Sequence, residues 1–323
     1  HPVIYSCAVK EIDLHRGIGC QNGWHITRGE IAMLGKFYRP PFVGIIAFVT
    51  VIMAQPLGHS LFVLLKGVLG SPDEASFTAS FLCGLVGFVL VWIGLKKQET
   101  AATWLGFVGA ILIWTGWFEY TWEFFAHLLN VQPLYTATGE MAMSPGLQII
   151  QASGIIMIAV TVLLYFNRDT RCTAFKWLHR NAHMDPGKAA PGKDRDYARI
   201  TALETIFVIW FIYVVNLTLY DERILGIEHP VTYGVFFGFL VWAIYLNTRL
   251  IKYARMAPAV RYAIPTTIIT WLDIEVLSRW GILKEFWLMP AEYAMEMGLV
   301  VAAFIIAGIA IYLTPERGEE NAP

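Results

Sequence analysis

The chain has 323 residues, of which 56% are hydrophobic, 14% aromatic and 15% charged, with a mean hydropathy of +0.53. Soluble domains carry about 25% charged residues, so the composition excludes an ordinary soluble fold and points to the bilayer. The formal net charge of -1 gives no basis for a nucleic-acid partner.

Residues 1–40 form a polar segment without the apolar core of a signal peptide. The chain opens at His1 rather than Met, the mark of processing or of a missing start. Gly17, Gly19 and Gly23 are irregularly spaced and make no phosphate-binding loop. Cys7, Cys20, Cys83 and Cys172 lack CxxC or zinc-ligand spacing, so free thiols are expected.

Eight apolar stretches follow, near 41–57, 76–95, 102–128, 146–166, 203–220, 231–248, 262–283 and 292–313. Each approaches the roughly 20 residues that a membrane-spanning helix needs. The predicted fold class is an all-α integral membrane protein with about eight transmembrane helices. Pro56-Leu57-Gly58 is expected to break or kink the first helix beside His59. Pro145, Pro265 and Pro290 fit helix starts.

The gap 167–201, with Pro186-Gly187 and Pro191-Gly192 at its centre, reads as a linker between two four-helix halves, 41–166 and 202–314. A tail, 315–323, closes the chain. Trp117-Phe118-Glu119 and Trp271-Leu272-Asp273 echo one another, a faint sign of internal duplication.

Lys and Arg crowd into alternate gaps. Of 24, 20 fall in the N-terminal segment, the gaps after helices 2, 4 and 6, and the tail; Lys66, Arg223, Arg279 and Lys284 fall on the other side. Basic loops stay in the cytoplasm, which predicts an inner-membrane, multi-pass protein with both termini cytoplasmic.

That topology gathers polar groups at the outer ends of the helices. His59, His127 and His229 fall there, with Glu119 and Glu123, Asp273 and Glu275, and Glu292 and Glu296. Glu119, Glu123 and His127 are spaced by four and drift only about 80° around a helix, making one stripe among aromatics that include Tyr120 and Trp122. Buried acids of this kind face a bundle interior or a cavity. Glu119, Glu123 and Asp273 are therefore the candidate proton-handling (catalytic) residues. His59, Trp122 and Tyr120 are the candidate cofactor-binding residues, and His127, His59, Glu123 and His229 the candidate metal ligands. Asp273 and Glu275 must lie on nearly opposite helix faces, and Glu275 is expected to pair with Arg279. Gln151 and Asn216 suit hydrogen bonding between helices.

The favoured reading is a membrane subunit of a redox or electron-transfer system, with a metal ion (copper or iron), haem or quinone site near the outer leaflet. The alternatives are a proton- or cation-coupled transporter and a non-catalytic scaffold. Lipid and further membrane or peripheral subunits are the expected partners.

Overall fold

The computed structural model describes residues 39–68, 74–136, 139, 141–166, 179–184, 195–312 and 314. The first helix, α1, runs unbroken over Phe42–Val68. The expected break at Pro56 is absent: one proline removes a single backbone donor, and packing against neighbouring helices holds the rest of the ladder. Helix α2 spans Glu74–Gly94. A continuous rod follows, built of α3 (Glu99–Ile113), a six-residue π segment (Trp114–Glu119) and α4 (Tyr120–Leu128). A two-stranded antiparallel hairpin, β1 (Leu134–Tyr135) with β2 (Met141–Met143), leads to α5 (Pro145–Ala152), where Ser144 caps Leu147 N–H with Pro145 in the first turn. Helix α6 (Gly154–Phe166) continues after a turn at Ser153.

The second part contains α7 (Tyr197–Tyr220), α8 (Pro230–Leu250), α9 (Met256–Arg279) and α10 (Ala294–Tyr312). A short 3-10 turn, Phe286–Leu288, precedes α10. Pro265 lies well inside α9, not at a helix start as the sequence suggested. Helix α7 begins at Tyr197, within the segment expected to be linker.

Among the described residues, seven helical stretches are long and apolar enough to cross a membrane. They are α1, α2, the α3–α4 rod, the α5–α6 pair, α7, α8 and α10. Helix α9 is not among them, because it is the polar centre of the bundle. Its buried residues include Thr266, Thr267, Trp271 and Asp273. Three threonine hydroxyls are satisfied inside the helix: Thr266 donates to Tyr262 O, Thr267 to Ile264 O and Thr270 to Thr266 O. Side chains that suppress hydropathy are thus accommodated without water.

Helices α1, α3–α4, α7 and α9 run in the same direction. At one end Arg261 donates to Glu99 Oε1 at 2.5 Å and stacks 4.8 Å over the Tyr197 ring, which ties the starts of α3, α7 and α9 together. Arg255 adds a second bond to Glu99 at 2.7 Å. At the other end Lys66 of α1 meets Glu123 of α4 at 2.6 Å. Glycines allow close helix approach: a Cβ on Gly44 would strike the Leu250 carbonyl, and one on Gly106 the backbone of Ala198.

Candidate functional site: a buried His–Tyr–carboxylate network

Each of the four same-direction helices places one polar side chain at a common level near the end opposite the Glu99 cluster. The residues are His59 of α1, Glu119 of the π segment, Tyr213 of α7 and Glu275 of α9. His59 Nε2 lies 3.3 Å from Glu275 Oε1. Tyr213 donates its hydroxyl to Glu119 Oε1 at 2.8 Å, and the Tyr213 hydroxyl oxygen lies 3.5 Å from His59 Nδ1. The imidazole therefore stands between two carboxylates, one met directly and one through a phenol.

Glu275 is held from two further sides. Trp271 Nε1 donates to Oε1 at 2.8 Å, and Asn216 Nδ2 donates to Oε2. The Trp271 ring also stacks on the His59 ring, with centroids 6.0 Å apart and planes inclined by 21°. The expected Glu275–Arg279 pair does not form; Arg279 instead lies 5.0 Å over the Tyr220 ring. Glu275 turns inward because His59, Trp271 and Asn216 supply an ion-pair partner and two donors, which local helix spacing alone cannot reveal.

Glu119 is 5% exposed and Glu123 8%, so both acids of the predicted stripe are buried. They meet different partners. Glu119 ends the π segment, whose extra residue per turn re-aims the side chains that follow, and it reaches α7. Glu123 reaches Lys66. Its carboxylate fills the space over Gly146, where a Cβ would collide with it.

The remaining candidates separate. His127 is exposed. His229 is exposed and caps α8, its Nδ1 accepting from Val231 N–H at 3.2 Å. Tyr120 is fully buried but turns from the network, donating to Ser76 and packing edge-on against Phe62. Trp122 joins an aromatic wall: Trp114 lies 5.4 Å from the Tyr213 ring, Trp122 5.7 Å from Trp114, and Trp210 6.1 Å from Trp122. Glu292 and Glu296 are exposed. Tyr213, Trp271 and the inward role of Glu275 are the contributors that sequence reasoning missed, while Asn216 makes the hydrogen bond between helices expected of it.

The predicted metal ligands do not converge. Among the described residues no group of three or more His, Cys, Asp or Glu side chains is arranged to hold a metal ion. A haem ligated by His59 and His127 fits no better, since both His59 nitrogens face protein partners and His127 is exposed.

Beyond the network, on the loop after α9, burial pushes the Glu285 carboxyl up from its ordinary value, opposed by Arg279 and His59 and reinforced by Glu275. Asp221, capping the end of α7, is held down at about 2 by hydrogen bonds from Arg223 to both its oxygens, with Gln151 also donating to Oδ2. Cys83 is a free thiol.

No known family model matches this chain, and no curated protein or solved structure does so either. The functional reading therefore rests on the residues themselves.

Proposed function

We propose that this polytopic membrane protein is the membrane subunit of a redox system. Its network of His59, Tyr213, Glu119 and Glu275 exchanges protons with a quinone-class ligand near the outer leaflet. The observation that carries this reading is the imidazole poised between two buried carboxylates from different helices.

A quinol gives up two protons with two electrons on oxidation. A bound quinol would enter the network at the 3.3 Å His59–Glu275 contact. One proton would pass to Glu275 and the other through His59 and the Tyr213 hydroxyl to Glu119, leaving both carboxyls as neutral acids, the imidazole neutral and the phenol protonated. General acid–base groups of this type work at hydrogen-bond distance. The two electrons leave to a redox partner subunit. Aromatic walls and a few convergent polar groups suit a small planar ligand. Gln55 Nε2, Trp114 Nε1 and Thr115 Oγ1 are buried donors without a partner among the described residues, and a ligand carbonyl would satisfy such donors.

The same reading makes α9 an eighth span and puts the basic loops in the cytoplasm of the inner membrane. The network then draws two helices from each half of the chain. The polar loops on the basic side are the docking surface for the peripheral partner.

The test is tryptophan-emission quenching of the purified full-length protein, in mild detergent, by a short-chain benzoquinone analogue. Saturable quenching is expected, weakened at least tenfold (about 1.4 kcal/mol) by His59→Ala or Tyr213→Phe but not by Glu228→Gln at an exposed site. Non-saturable quenching, equal in all variants, would contradict the reading.

A further inference from the structure

We propose that Asp273 is a separate proton-binding site, a carboxyl that holds its proton in the resting protein at the contact between α8 and α9. It stands two positions before Glu275, so the two acids point about 200° apart around α9. Asp273 instead shares a helix face with Trp280, seven positions on. Trp280 packs against α8, stacked on Tyr233 at 4.8 Å and edge-on to Phe236 at 4.9 Å.

Asp273 is 4% exposed, and neither carboxyl oxygen has a hydrogen-bond partner among the described residues. Among the described residues no charged side chain is placed to relieve it. The buried residues of α8 are Thr232, Phe236, Ala243 and Leu250, none of them charged. The titratable Tyr233 is engaged with Trp280, and Arg249 sits in the last turn of α8 at the far end. From the other helices packed on α9, His59 and Tyr213 belong to the Glu275 side, Lys66 is held by Glu123, and Glu99 is locked by Arg255 and Arg261.

An ionised carboxylate stripped of water, hydrogen bonds and counter-charge is among the costliest groups a protein can bury. A metal cation would need several more oxygen ligands than this contact offers. A proton needs none, and it converts the group to a neutral acid compatible with the bilayer interior. Release of that proton requires water or a base to reach the α8–α9 contact. Helix α8 is mostly exposed on the outside of the bundle, whereas α9 packs against several helices. This assignment stands independently of the quinone reading.

The test is reaction of the full-length protein in lipid nanodiscs with dicyclohexylcarbodiimide, which adds to protonated carboxyls in apolar surroundings, followed by peptide mass spectrometry. The expected result is an adduct on Asp273 that diminishes as pH rises and is lost in Asp273→Asn. A second readout is the infrared absorbance of the wild type minus Asp273→Asn, where a protonated-carboxyl C=O band should vanish with the substitution. Absence of an Asp273 adduct at every pH, with no C=O band assignable to Asp273, would overturn the proposal.

Discussion

The Nε2 atom of His59 on α1 stands 3.3 Å from Oε1 of Glu275 on α9, and that oxygen also accepts from Trp271 Nε1. The contact joins the first helix to the central one and fixes the imidazole from one side while the Tyr213 hydroxyl approaches it from the other.

Breaking this pair from one side leaves an uncompensated partner in the bundle. His59→Leu is expected to destabilise the protein by roughly 3–5 kcal/mol. Replacing both residues in His59→Leu/Glu275→Leu should recover part of that loss. A double-mutant cycle on thermal unfolding in one detergent checks it; additive effects would show that the two side chains do not interact.

Tyr213→Phe removes the hydroxyl that donates to Glu119 and leaves a buried carboxylate short of a donor. The expected cost is about 1–3 kcal/mol. Adding Glu119→Leu should make the Tyr213 substitution close to neutral, read as unfolding midpoints of the single and double variants.

The glycines divide into two groups by what surrounds them. A Cβ at Gly44 or Gly106 meets neighbouring backbone, whereas one at Gly234 or Gly238 meets nothing within 4 Å. Gly44→Ala and Gly106→Ala should each cost about 1–3 kcal/mol through overpacking. Gly234→Ala and Gly238→Ala should be neutral or gain up to about 1 kcal/mol from helix propensity. Parallel melting curves distinguish the groups, and equal effects would contradict the helix packing described.

Asp221 gives an acid-limb prediction. Its carboxyl is held at about 2, below its ordinary value of 3.8, by Arg223. A depressed acid contributes stability above its unfolded value and loses it as pH falls through the folded one. The stability gap between wild type and Asp221→Asn should therefore be constant above about pH 5 and close progressively towards pH 2. A gap that does not change with pH over that range would refute the assigned cause.

Much of the helical architecture was legible because spanning helices must be long and apolar whatever they pack against. Glu119 and Glu123 stood out for the converse reason: acids among aromatics within an apolar run are costly unless buried with partners. The partners themselves were not legible. Tyr213 looks like any aromatic of an apolar helix, and its value comes from Glu119 and His59 on other helices. Glu275 had a plausible local mate in Arg279, and tertiary contacts from α1 and α7 outcompeted it. His127 fell outside the predicted stripe because the helix end exposes it, and Pro56 failed to break α1 because one missing donor is tolerable inside a packed bundle. Helix α9, the least hydrophobic of the long helices, proved to be central, since its threonines satisfy their own hydroxyls.

The most direct test of the central claim is a redox-difference infrared spectrum of the full-length protein loaded with a short-chain benzoquinone and cycled between oxidised and reduced states. Carboxyl bands that change with the cycle, with one lost in Glu275→Gln and another in Glu119→Gln, are the predicted result. A difference spectrum containing only the quinone's own bands, unchanged in both variants, would contradict a proton-exchanging site built on His59, Tyr213, Glu119 and Glu275.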